Sequence, residues 1–144
     1  MRWKPPPGRW MKADIRSGLV FRYSYLWARE HGRGEDSGRK VRPVCIQVIA
    51  KSGEEQLTML FPITSQPQDD PATAIEVPAL EARRAGLIAP AWVIVNEWNE
   101  DDLDAGPYLA DIRPIGAFSK PFTARIARAA ASAIRAQRHR RVRR

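Results

Sequence analysis

The segment that most restricts the fold is Val44-Cys45-Ile46-Gln47-Val48-Ile49-Ala50, in which six of seven residues are apolar and four are β-branched. A nearly continuous apolar run of this length reads as a strand buried on both faces, and therefore as a central one. Lys51-Ser52-Gly53-Glu54 follows as a hairpin turn, and Leu57-Thr58-Met59-Leu60-Phe61 returns as the paired strand. The chain must build the rest of a sheet around that hairpin.

The remaining segments supply it. Leu19 to Trp27 reads as an aromatic-rich first strand, and residues 28–40 as a long polar loop with three glycines. Ala74-Ile75-Glu76-Val77 is a short strand, Ala79 to Ala85 a short helix opened by Pro78 and capped by Gly86, and Ala91 to Val95 a further strand. Residues 108–116 read as a strand ended or bulged at Pro114. Pro121 precedes a helix from Phe122 to about Ala136, with Phe122, Ile126, Ala129, Ala133 and Ile134 at helical spacing. Twelve prolines in 144 residues fit a loop-rich, strand-rich domain. The expected fold class is mainly β (α+β): one small β-barrel over residues 17–136, with a short internal helix and a C-terminal helix. Residues 1–16 read as an irregular basic arm and 137–144 as a basic tail.

Charge is segregated. The net charge is +8, and residues 125–144 hold eight arginines and no acid. Residues 1–124 hold sixteen cationic and sixteen acidic side chains, and residues 97–111 six acids and no base. The tail is either a solubilising terminus or an arm that tethers RNA with strong salt dependence. Glu100-Asp101-Asp102 and Asp69-Asp70 read as solvated loops, so no metal and no cofactor are expected. The single cysteine, Cys45, excludes an intramolecular disulfide and reads as a core thiol. No apolar run is long enough for a membrane helix, and the protein reads as cytoplasmic.

Two junctions flank the central hairpin: Gly38-Arg39-Lys40-Val41-Arg42-Pro43 enters it and Phe61-Pro62-Ile63-Thr64-Ser65-Gln66 leaves it. Strand pairing would bring the Arg42 guanidinium beside the Thr64 hydroxyl. A fixed cation next to a hydroxyl suits binding and cleaving a phosphodiester, because the planar fork can hold two phosphate oxygens. Cleaving a phosphodiester also needs a base to take the proton of the attacking group. Glu30 and His31, in the loop leading to Arg42, are the candidates, and Arg33, Arg39, Lys40, Ser65 and Gln66 would line the path of the bound polyanion. The structural alternatives are an Arg42 that only salt-bridges at a strand start and a Thr64 that only caps a turn. Trp27, Trp92 and Trp98 read as core or dimer residues.

Read in order, these segments resemble the MazF/PemK toxin superfamily, which includes the CcdB fold. The resemblance runs from Gly18-Leu19-Val20 through Arg42-Pro43, Phe61-Pro62-Ile63-Thr64-Ser65, Ile75-Glu76-Val77, Gly86-Leu87 and Trp92-Val93-Ile94-Val95 to Ile115-Gly116. Tyr25-Leu26-Trp27-Ala28-Arg29-Glu30 resembles the PemK-like branch. It implies an SH3-like barrel and a metal-independent endoribonuclease that inhibits growth. It further implies cleavage of single-stranded RNA by 2′-hydroxyl attack, homodimerisation and neutralisation by a cognate antitoxin. The family's key arginine falls on Arg42 and its key threonine on Thr64. The family opening, a Gly-Asp/Glu pair, here reads Ser17-Gly18-Leu19. The alternative is a non-catalytic toxin-fold module that binds an antitoxin, a gyrase-like protein target or RNA.

Overall fold

Pairing of the two central strands sets the architecture. The structure is a computed structural model that describes residues 15–34, 40–49, 57–101 and 113–144. Strand β2 (Val41–Ile49) runs antiparallel to β3 (Leu57–Thr64), with Val44 opposite Pro62 and Ile46 opposite Leu60. On the other edge of β2 lies β1 (Leu19–Ser24), which also pairs with β7 (Gly116–Ala117). The far edge of β3 is shared. Thr58–Leu60 pair with β6 (Glu97–Asp101), whereas Ile63 and Thr64 pair with β5 (Trp92–Ile94), which carries β4 (Ala74–Glu76) outside it. Pro62, with no N–H to donate, lies where the strand changes partners. The result is a strongly curled half-barrel, mainly β, with three helices among the described residues.

Both faces of the central hairpin are buried, which explains its unbroken apolar sequence. Val20, Cys45, Phe61 and Ile63 face one core, filled by Trp98 and by Phe122, Ile126 and Ala130 of helix α3 (Lys120–Arg135). Leu19, Phe21, Tyr23, Tyr25, Val44, Ile46 and Leu60 form the second core. Each fully buried large side chain contributes about 1.5–3 kcal/mol. Helix α3 starts as its sequence indicates: the Ser119 hydroxyl accepts the Phe122 N–H (3.3 Å), and Pro121 sits in the first turn. Helix α2 (Ala79–Arg84) is tied to that cap, because Glu81 accepts from both the Ser119 N–H (2.9 Å) and its hydroxyl (2.6 Å).

Three segments differ from the sequence reading. The polar loop of residues 28–40 begins with a helical turn, α1 (Ala28–His31). The acidic stretch is strand β6, and Glu100 and Asp101 are buried rather than solvated. The tail contains strand β8 (Arg140–Arg143), which lies parallel to β6 with Glu97 opposite Arg140 and Glu100 opposite Arg143. Arg141 pairs with Glu100 at 3.8 Å. Most of the arm, the turn at 51–54 and residues 108–112 lie outside the described residues. Among the described residues no helix is long and apolar enough to cross a membrane, and no acidic, histidine or cysteine cluster could hold a metal.

Two expected outcomes arise here. A Cβ on Gly116 would fall onto the Ala85 carbonyl carbon and 2.5 Å from the Arg84 oxygen. Backbone cannot swing aside as a side chain can, so Gly116→Ala should destabilise by about 1–3 kcal/mol in urea unfolding. A wild-type midpoint would show that β7 and the end of α2 are not in close contact. Cys45 is fully buried, and burial pushes its thiol far above the ordinary value. The thiolate is the reactive form, so an aromatic disulfide reagent at pH 8 should leave Cys45 untouched until urea unfolds the chain. Rapid labelling of native protein would contradict the buried assignment.

Candidate functional site

A cleft of about 1070 Å³ opens where β2 begins and β3 ends. The β2–β3 ladder ends at the Val44–Pro62 pair; beyond it Arg42 is paired with Tyr23 of β1 and Thr64 with Trp92 of β5. Arg42 and Thr64 both line the cleft, with Lys40, Ser65 and Gln66 beside them. Four cationic side chains line it (Arg22, Arg29, Lys40 and Arg42) against one carboxylate, Glu97. The concentration of positive charge arises from placement, because the first 124 residues are neutral in sum.

Arg42 is the distinctive group. It is half-buried, and its Nε is buried without a hydrogen-bond partner. Its guanidinium carbon lies 5.1 Å from the centre of the Trp27 ring, and that of Arg29 lies the same distance from the same ring. A cation on an indole face gains about 0.5–1 kcal/mol when exposed and more when desolvated. Burial pushes the Arg42 guanidinium below its usual value; the Glu30 charge opposes this shift and the Arg29 charge adds to it. Arginine remains protonated at neutral pH regardless. Two like cations near one ring, with a buried donor unsatisfied, form a site that an anion would complete.

Thr64 is arranged to donate. Its Oγ accepts the Gln66 N–H at 3.1 Å, the local turn that Thr-Ser sequences favour. The turn uses one of the oxygen's two lone pairs and does not engage the hydroxyl proton, which can donate to a ligand.

The proton-transfer candidates lie elsewhere. Glu30 is buried, outside the cleft lining, and its Oε1 accepts the Trp27 N–H at 3.1 Å, which fixes the start of α1. His31, the last residue of that helix, and Arg33 beyond it are exposed and do not line the cleft. Arg39 lies outside the described residues.

The carboxylate in the cleft is Glu97, from the acidic stretch. Its Oε2 accepts from the Tyr25 hydroxyl and the Ala28 N–H, both at 3.0 Å. Tyr25 is buried, and its phenol is held well above the ordinary value, first by burial and then by the Glu97 charge. The phenol therefore stays protonated and orients the carboxylate. Trp27 and Glu97 were not legible as site residues. Trp27 looks like core from its neighbours, and Glu97 enters only through the pairing of β6.

Compared with protein-family models, with curated proteins and with solved structures, the chain finds no match in any of the three.

Proposed function

We propose that the protein is a metal-independent endoribonuclease that cuts single-stranded RNA in the Arg42/Thr64 cleft, acting as the toxin of a toxin–antitoxin pair. The observation that carries this reading is the half-buried Arg42 with an unsatisfied Nε, sharing with Thr64 a cleft whose charged lining is four cations and one carboxylate. The 2′-hydroxyl oxygen bonds to phosphorus as the bond to the 5′-oxygen breaks, leaving a 2′,3′-cyclic phosphate and a 5′-hydroxyl. Arg42 and Thr64 donate to the non-bridging oxygens, where charge builds. Glu97 takes the 2′ proton, and the open cleft admits water to protonate the departing oxygen. The sequence resemblance, and not the cleft, supplies the toxin role, the antitoxin and a homodimer.

The test is incubation of purified protein with varied RNAs in EDTA. Cleavage products carrying cyclic phosphate and 5′-hydroxyl ends are expected; intact RNA throughout would remove the nuclease reading. A non-catalytic binding module is the second reading, favoured by the position of Glu30 and His31 away from the cleft. Growth arrest that survives combined Arg42→Ala and Thr64→Ala substitution would select it.

A further inference from the structure

A second pocket, of about 440 Å³, adjoins the first. It is lined by Asn96, Glu97, Gln137, Arg138, His139 and Arg140, and Asn96 and Glu97 also line the Arg42 cleft. The two share the Asn96–Glu97 wall, and the far side of the second is built from the segment between α3 and β8.

That segment is held in place. Arg138 N–H bonds the Ala133 carbonyl (2.9 Å) and Gln137 N–H the Ile134 carbonyl (3.0 Å), closing helix α3 in a Schellman motif. Arg140 N–H bonds the Asn96 carbonyl at 2.8 Å, which ties the two walls together. The His139 ring stacks on buried Trp98, with centroids 5.3 Å apart and planes 6° apart, and its Nδ1 is buried without a partner.

Gln137 is the telling residue. Its φ is 55°, the left-handed conformation that the motif demands and that glycine ordinarily fills. A glutamine there strains the backbone, and nothing in the helix ending needs its amide. The side chain lines the pocket instead.

The lining chemistry identifies a ligand. Asn96 and Gln137 offer amide donors and acceptors, the groups that pair with base edges. Glu97, the proposed base of the cleft, stands in the wall between the two pockets. Arg138 and Arg140 suit a phosphate farther along. We infer that this pocket holds a nucleobase next to the scissile phosphate, so that the α3–β8 segment is a flanking-nucleotide subsite of the same RNA track. The inference rests on the cleft reading and extends it to substrate length and base contact.

The test uses the full chain and fluorescein-labelled, 2′-O-methylated RNAs of three and eight nucleotides, which cannot be cut. Affinity is read by anisotropy. The wild-type protein should bind the longer RNA about tenfold more tightly, the scale of one or two additional base contacts. Gln137→Gly relieves the left-handed strain, so its thermal midpoint should hold or rise. That variant and Arg138→Ala should each remove most of the length advantage. Arg42→Ala should weaken both lengths. An intact length advantage in both pocket variants, with Arg42→Ala still weakening both RNAs, overturns the subsite and leaves the cleft standing. No effect of Arg42→Ala at either length overturns the cleft, and with it the shared track.

Discussion

Arg42→Ala should lower RNA cleavage by about 10²–10³-fold, the scale of losing one fixed donor to a developing oxyanion. The same variant should keep its folding stability to within about 1 kcal/mol, because the buried Nε has no partner to be orphaned and the ion loses a desolvation cost. This combination separates two roles. An arginine that only anchored a strand start would show the opposite pattern, with stability lost and any RNA chemistry unaffected. Arg42→Lys should recover only part of the rate, since a point charge replaces a planar fork. Cleavage assays beside urea titrations of the three proteins read both quantities.

Asn99→Ala should be the most damaging of the polar substitutions, at about 2–5 kcal/mol in urea unfolding, because it strands two buried backbone groups at about 1–3 kcal/mol each. Asn99 is fully buried in β6. Its Oδ1 accepts the Leu26 N–H at 2.9 Å, and its Nδ2 donates to the Leu26 carbonyl at 2.7 Å. The side chain thus acts as a strand partner for a residue that leaves β1. The same Oδ1 accepts from Arg144 at 2.9 Å, and Arg144 also donates to the Ser24 carbonyl at 2.7 Å. Leu26 precedes Trp27, the ring against which Arg42 lies. The loss should therefore spread to the site, with RNA affinity falling along with stability. A variant as stable as wild type would show that the Leu26 bonds are not maintained in solution.

The central hairpin, the short α2 and the capped α3 were legible because each announces itself locally. An apolar run marks β2, and Ser119 and Pro121 mark the start of a helix. That Arg42 and Thr64 line one cleft follows from the same hairpin, which places the start of β2 and the end of β3 at one end of the sheet. Strands β6 and β8 were not legible. Glu97–Asp101 has one apolar side chain, Trp98, and Arg140–Arg143 has one, Val142. Neither shows alternation strong enough to read as a strand. What makes them strands is mutual: an acidic segment lies beside a basic one about forty residues later, and buried phenols and an indole hydrogen-bond the carboxylates. Tyr23 donates to Asp101 at 2.9 Å and Trp98 to Glu100 at 3.2 Å. Both charge runs are visible in the sequence, but a local pattern does not show that they are neighbours. Glu97 entered the site by that route, while Glu30 was drawn into an N-terminal cap on α1.

The claim that organises the site is that the unpartnered Nε–H of Arg42 waits for a phosphate. Arginine side-chain ¹H–¹⁵N spectra observe that group directly, with Arg42→Lys supplying the assignment. On addition of a 2′-O-methylated trinucleotide, the Arg42 Nε resonance should shift more than those of Arg140, Arg141 and Arg143. An Arg42 resonance that stays in place while the β8 arginines shift would contradict the account and move RNA binding to the C-terminal strand.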